Sequence, residues 1–176
     1  LAYLDTHYYG GIKKYQWVAL PLALHGVVVK RDGDTVEVNI GEAEDDPVLC
    51  ITDLLPHLAQ DQMKKTMSEG ITGEGLHILI GSVPYADKGK DRVKLAVLSL
   101  LNDAYGIREE DFLSAELAAV PAFDVCEVGV DRSMIGGYGH HDRVCAYAEL
   151  RAILDVKEPE KTCVCILAGK EETGSD

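Results

Sequence analysis

Residues 162–168, Thr-Cys-Val-Cys-Ile-Leu-Ala, form an apolar run broken by no charge. A run of this kind reads as a strand buried on both faces, as in sheets covered by helices above and below. It follows Val144 to Leu154, where only Glu149 and Arg151 are charged. A helix apolar around most of its girth is expected to be deeply buried, here against a sheet. With a connection at Glu158-Pro159-Glu160, helix and run together predict an α/β layer in the last third of the chain.

The preceding residues have a different texture. Trp17 to Ile40 reads as β structure: Val27-Val28-Val29-Lys30, then Asp32-Gly33, then Val36, Val38 and Ile40 alternating with Glu37 and Asn39. Period-two alternation after Asp-Gly predicts a hairpin, and Pro21 should interrupt the preceding strand or place it at an edge. The acidic stretch from Glu42 to Asp46, with Pro47, reads as a loop. Asp53 is placed as an N-cap and Pro56 in the first turn of a helix running to about Met67 and ended by Gly70. Leu76 to Ile80 is a short apolar strand. Arg92 to Tyr105 is a helix, with Val93, Ala96, Val97, Leu100, Leu101 and Ala104 on one face and Gly106 at the C-cap position. Ala115 to Val120 tends to extended structure. The composition changes between Phe112 and Phe123. The expected fold class is therefore α/β, with a mixed β and helical module over residues 1–120 and the beginning of an α/β layer over 121–176.

The net charge of −13 argues against nucleic acid and anionic membranes, which both need a basic footprint. No apolar run reaches the length of a transmembrane helix, and no signal peptide is visible at the amino end. The chain opens Leu1-Ala2-Tyr3 without an initiator Met, so a segment of a longer protein is expected. Cys50, Cys126, Cys145, Cys163 and Cys165 lack zinc-knuckle spacing. They read as reduced thiols of a cytoplasmic protein, with Cys163 and Cys165 on one face of a strand.

Two segments carry chemistry. Gly136-Gly137-Tyr138-Gly139 leads into His140-His141-Asp142-Arg143 at the start of the predicted helix. Asp142 is there either an N-cap carboxylate satisfying backbone N–H groups or a ligand. Glu171-Glu172 lies just beyond the apolar run, where ligand sites gather at the carboxyl ends of strands. Neighbouring residues leaving a strand point in different directions, so one carboxylate can bind a metal while the other faces substrate. The competing reading is a solvated acidic turn beside Lys170 and Gly174. If Asp142 and the Glu pair converge on one sheet edge, they need a cation to offset their repulsion.

The chain resembles the aspartyl aminopeptidase and aminopeptidase I family of cocatalytic zinc exopeptidases. The resemblance is carried by Val130-Asp131-Arg132-Ser133, by Tyr138-Gly139-His140-His141-Asp142-Arg143-Val144-Cys145-Ala146-Tyr147, and by Lys170-Glu171-Glu172-Thr173-Gly174-Ser175. Tyr9-Gly10-Gly11-Ile12 and Asp53-Leu54-Leu55-Pro56-His57-Leu58-Ala59 agree with earlier family segments. The resemblance implies that Asp142 bridges two zinc ions, that Glu172 is a metal ligand and that Glu171 is the general base. It also implies a catalytic domain of α/β/α sandwich type, of which residues 121–176 are the beginning.

The implied reaction is removal of amino-terminal residues from peptides by a metal-bridged water, with Glu171 taking its proton. The resemblance makes residues 1–120 an inserted domain for self-association to a dimer and a dodecamer. It places a first His ligand upstream of Leu1, and a further Asp and a final His downstream of Glu172, so the chain alone is expected to be inactive. The position where some relatives donate a His to a neighbouring subunit is Asp61 here, and His57 is not an obvious substitute. An assembly fragment without catalysis is the competing function, and a non-peptidase metal hydrolase with the same carboxylates is a third.

Overall fold

Valine and isoleucine at every second position commit the segment around residue 36 to a half-buried strand. The computed structural model, which describes residues 1–8, 10–86 and 89–169, places that strand in a three-stranded antiparallel sheet. The chain divides into two compact units, Leu1–Phe123 and Asp124–Asp176. The first carries β1 (Ala2–Leu4), β2 (Leu22–Val29), β3 (Thr35–Ile40), α1 (Met67–Gly70), β4 (Ile78–Gly81), α2 (Arg92–Tyr105) and β5 (Ala115–Pro121). The second carries β6 (Cys126–Val128), β7 (Met134–Gly136) and α3 (His140–Leu154).

β2 is the central strand of the order β3-β2-β5. It pairs with β3 from Leu24↔Ile40 to Val29↔Thr35, and with β5 from Leu22↔Pro121 to Val28↔Ala115. The connection between β2 and β3 closes as the Asp-Gly signal predicts. Lys30 N–H donates to the Asp34 carbonyl at 2.8 Å, and Gly33 takes a φ of +93°. Pro21 falls immediately before β2, where its missing N–H breaks no ladder bond.

Gly26 is required by the opposite strand. Its φ is +147°, and a Cβ built there would lie 2.0 Å from the Glu116 carbonyl oxygen. The backbones of β2 and β5 therefore approach as only glycine permits.

Two apolar clusters flank this sheet. Leu22, Ile51, Ile71, Leu76 and Ile78 form one; Val28, Val38 and Ile107 form the other, with Tyr105, Phe112 and Leu117 packed against it. Burying each such side chain contributes about 1.5–3 kcal/mol before chain entropy is counted. α2 has the predicted bounds, and Gly106, in the left-handed region at φ +68°, donates its N–H to the Asn102 carbonyl.

A buried carboxylate ties the hairpin tip to the turn before β5. Asp111 is 4% exposed; it accepts from Arg108 N–H at 2.8 Å and from Arg31 N–H at 3.0 Å. The Arg108 N–H is the largest influence holding this carboxyl below its ordinary value. Burial pushes the other way, and the Arg31 N–H and the charges of Arg108 and Lys30 add to the lowering.

Four expectations are corrected. The helix expected from Asp53 to Met67 is a chain of turns over residues 56–65, and only Met67–Gly70 is helical. Asp53 accepts from the adjacent Leu54 N–H and from Gln62 Nε2 in place of capping a helix. Residues 162–168 are not a strand: a strand exists by its ladder of backbone bonds to a neighbour, and among the described residues none pairs with them, β6 and β7 pairing with each other. α3 is correspondingly not buried. Glu149, Ala152 and Ile153 of α3, with Val156 just beyond its end, line a shallow groove with residues 163–166; on the helix Ala146 and Ile153 are half-buried and the other residues are exposed. Cys163 is exposed and Cys165 half-buried, so the two thiols do not share a strand face. No helix among the described residues is long and apolar enough to cross a membrane.

Gly26→Ala should destabilise the first unit by about 2–4 kcal/mol, through overpacking against Glu116 and a strained φ. Urea unfolding of the variant measures this, and an unchanged midpoint would contradict the close approach. For Asp111, the folded carboxyl titrates below the unfolded one. Its contribution is therefore complete above 3.8 and is lost as the pH falls through the folded value. Asp111→Asn, which cannot accept both N–H bonds through two oxygens, should lower the neutral-pH Tm by several degrees. The gap to wild type should narrow below pH 3.8, and thermal melts across a pH series check both statements.

Candidate metal centre

The second unit starts with the β6–β7 hairpin. At its tip Gly129 and Arg132 take φ values of +94° and +54°. Asp131 Oδ1 accepts from Ser133 Oγ at 3.0 Å, and Arg132 pairs with Glu127 at 3.2 Å. These contacts order the Val130–Ser133 segment locally. The chain then passes through Gly136-Gly137-Tyr138-Gly139 into α3.

Gly139 is the N-cap of α3, with φ +73° in the left-handed region that glycine occupies without strain. This moves the cap role away from Asp142. Asp142 lies inside the first turn, where the positive end of the helix dipole favours a carboxylate.

Asp142 has a side-chain exposure of 78%. Its Oδ1 is 3.5 Å from His141 Nδ1 and its Oδ2 is 3.7 Å from Arg143 Nη1. Those are its polar partners among the described residues, and neither is a short bond. Both oxygens thus keep lone pairs available, the donor chemistry that a divalent cation requires. A single carboxylate does not complete a metal site, and among the described residues no three His, Cys, Asp or Glu side chains are grouped to hold an ion. His140 and His141 stand beside Asp142 on the exposed first turn. Glu171 and Glu172 lie outside the described residues. In the first unit His57 is exposed within the turns, and Asp61 pairs with Lys64 at 3.0 Å.

One neighbour escaped the sequence reading. The Arg143 guanidinium folds back over Gly139: a Cβ at Gly139 would lie 3.1 Å from Nη1 and 3.4 Å from Cζ. The only signal in the sequence was a glycine four residues before an arginine, which by itself indicates no contact.

The family model described as aminopeptidase I zinc metalloprotease (M18) matches residues 1–176. The probable M18 family aminopeptidase 1 of Clostridium acetobutylicum is 55% identical over 176 residues, covering 99% of this chain and 38% of that protein. Its Thermotoga maritima counterpart is 51% identical, covering 100% of this chain and 38% of that protein. The crystal structure of aminopeptidase I from Clostridium acetobutylicum superposes with a TM-score of 0.89 at 52% identity, over 100% of this chain and 39% of that one. The mixed α/β architecture matches that structure. The chain spans about two fifths of the length of these relatives.

Proposed function

The chain belongs to the aminopeptidase I zinc metalloprotease (M18) family, and from that premise we propose that it forms part of a zinc-dependent aminopeptidase acting on the amino-terminal residues of peptides. The observation that carries this reading is the family match along all 176 residues, including both carboxylate motifs. In the proposal residues 121–176 begin the catalytic domain and residues 1–120 are the inserted assembly domain.

Asp142 and Glu172 would hold zinc, Asp142 as the ligand shared between two ions. The ions, when bound, supply Lewis acidity toward the scissile carbonyl and toward an attacking water. Glu171 takes the proton of that water and returns it to the leaving amine. The five free thiols support a reducing, cytoplasmic setting.

Self-association of the first unit is favoured by a specific observation. Leu54, Leu55, Leu58, Met63 and Met67 are 54–71% exposed within the segment from residue 54 to the start of α1. Apolar side chains gathered in one segment mark an interaction surface more often than free surface. A dimer, and a dodecamer built from dimers, are the assemblies proposed for the full-length enzyme.

In the full-length enzyme, Glu171→Gln should retain zinc and lose about 10²–10⁴-fold in kcat, the usual worth of a positioned base. Asp142→Ala and Glu172→Ala should lower zinc content, measured by elemental analysis. Normal turnover in the first variant, or full zinc content in both of the others, would remove these residues from their roles. The 176-residue chain should self-associate through residues 1–120; light scattering that reports a monomer over a broad concentration range would count against that.

A further inference from the structure

β2 lies between β3 and β5, so the sheet has two outer edges, and the chain treats them differently. On β3 the Asn39 carbonyl is taken by Tyr105 Oη, at the end of α2, at 2.8 Å. On β5 the direction of the backbone groups is fixed at two points. The Glu116 carbonyl faces β2, where a Cβ at Gly26 would lie 2.0 Å from its oxygen, and Ala122 N–H donates to the Pro21 carbonyl at 2.9 Å. Backbone groups alternate in direction along a strand. Glu116, Ala118, Val120 and Ala122 therefore face β2, and Ala115, Leu117, Ala119 and Pro121 face away from it. Ala115 N–H turns back to the Phe112 carbonyl. Among the described residues no strand pairs with this outer edge, and no turn or loop gives a backbone bond to Leu117 or Ala119. Open edges are ordinarily blunted by a Lys, an internal Pro or a bulge. Between Ala115 and Val120, β5 carries only the charge of Glu116, and it pairs with β2 without a shift of register.

We propose that two copies of this chain join through the outer edges of β5, antiparallel about a two-fold axis at Leu117, so that their sheets run on as one. The inference rests on the reading that the first unit self-associates, and it names a surface for this other than residues 54–67. The outward positions read Ala115, Leu117, Ala119, the same from either end, as a self-complementary interface requires. Leu117 then faces the partner's Leu117, and Ala119 faces the partner's Ala115, so the outward N–H groups of Leu117 and Ala119 gain carbonyl acceptors in both copies. Pro121 has no N–H to give, and it ends the pairing. Between these pairs Glu116 faces the partner's Ala118, at the positions without backbone bonds, where side chains stand nearest. The carboxylate of each strand thus meets a small neutral residue and not its own copy, which would repel it. Glu116 and Ala118 are both exposed.

A strand from elsewhere in the chain would cover the same edge but makes a different prediction. Protection of the Leu117 and Ala119 amides would then not depend on the concentration of the chain.

The test is residue-resolved amide hydrogen exchange, with light scattering, on the 176-residue chain over a concentration series. Expected is protection of the Leu117 and Ala119 amides that rises with association, while Ala118 and Val120, bonded to β2, stay protected throughout. Ala118→Glu sets like charges opposite each other and should weaken the dimer about two- to thirtyfold. Ala118→Lys should tighten it by a similar factor, and adding Glu116→Gln should remove that gain. Melting of each variant controls for folding. Association without a concentration-dependent rise in protection at Leu117 and Ala119 overturns the edge pairing and leaves the self-association reading standing. Ala118 variants that move the affinity in the same direction do the same. A monomer at every concentration overturns both. If Ala118→Glu does not fold, Ala118→Lys decides: an unchanged affinity there overturns the proposal.

Discussion

β2 makes backbone ladders along both of its edges, and the first unit is arranged around that requirement. A central strand must have every N–H and C=O paired, so both neighbours must come within hydrogen-bonding range along its length. At Gly26 the backbone of β5 leaves no room for a side chain on β2. Leu22, Ala23 and Val28 on the same strand are fully buried. The two apolar clusters take Leu22 and Val28 respectively as members, so one strand links the ladder and both parts of the core.

Asp111 serves the same sheet from outside it. By accepting backbone N–H groups from Arg31 and Arg108 it closes the hairpin tip against the turn that leads into β5. Ser114 adds a bond from its hydroxyl to the Val29 carbonyl at 2.5 Å. Strand order, hairpin and incoming strand are thus tied where an unpaired tip would otherwise fray. In the second unit short-range geometry plays the corresponding part. A left-handed glycine starts α3, and the first turn then presents Asp142 with a basic side chain near each carboxylate oxygen.

Where pattern and structure agree, the determining interactions are local. The Asp-Gly turn, the alternation of Val36, Val38 and Ile40, and the apolar stripe of α2 closed by Gly106 each specify their element from within a few residues. Where they disagree, the missing ingredient is a partner. The turns over residues 56–65 keep isolated backbone bonds, such as Met63 N–H to the Ala59 carbonyl, without propagating a helix. The run 162–168 has strand composition but no described neighbour to ladder with, and α3 has an apolar girth but, among the described residues, half-buries only Ala146 and Ile153.

The candidate centre divides in the same way. The sequence by itself determined the residue types, the Asp142 and Glu171-Glu172 motifs and the family they belong to, because motif spacing is a property of the chain. It also determined that a helix would begin near Asp142. Only the tertiary structure decided that Gly139 and not Asp142 caps that helix, that Arg143 turns back over the glycine, and that Gly26 is needed by a strand ninety positions further along. Those outcomes depend on φ angles and on distances between atoms that sequence spacing leaves free. They were settled when the backbones came together and the available space excluded every alternative.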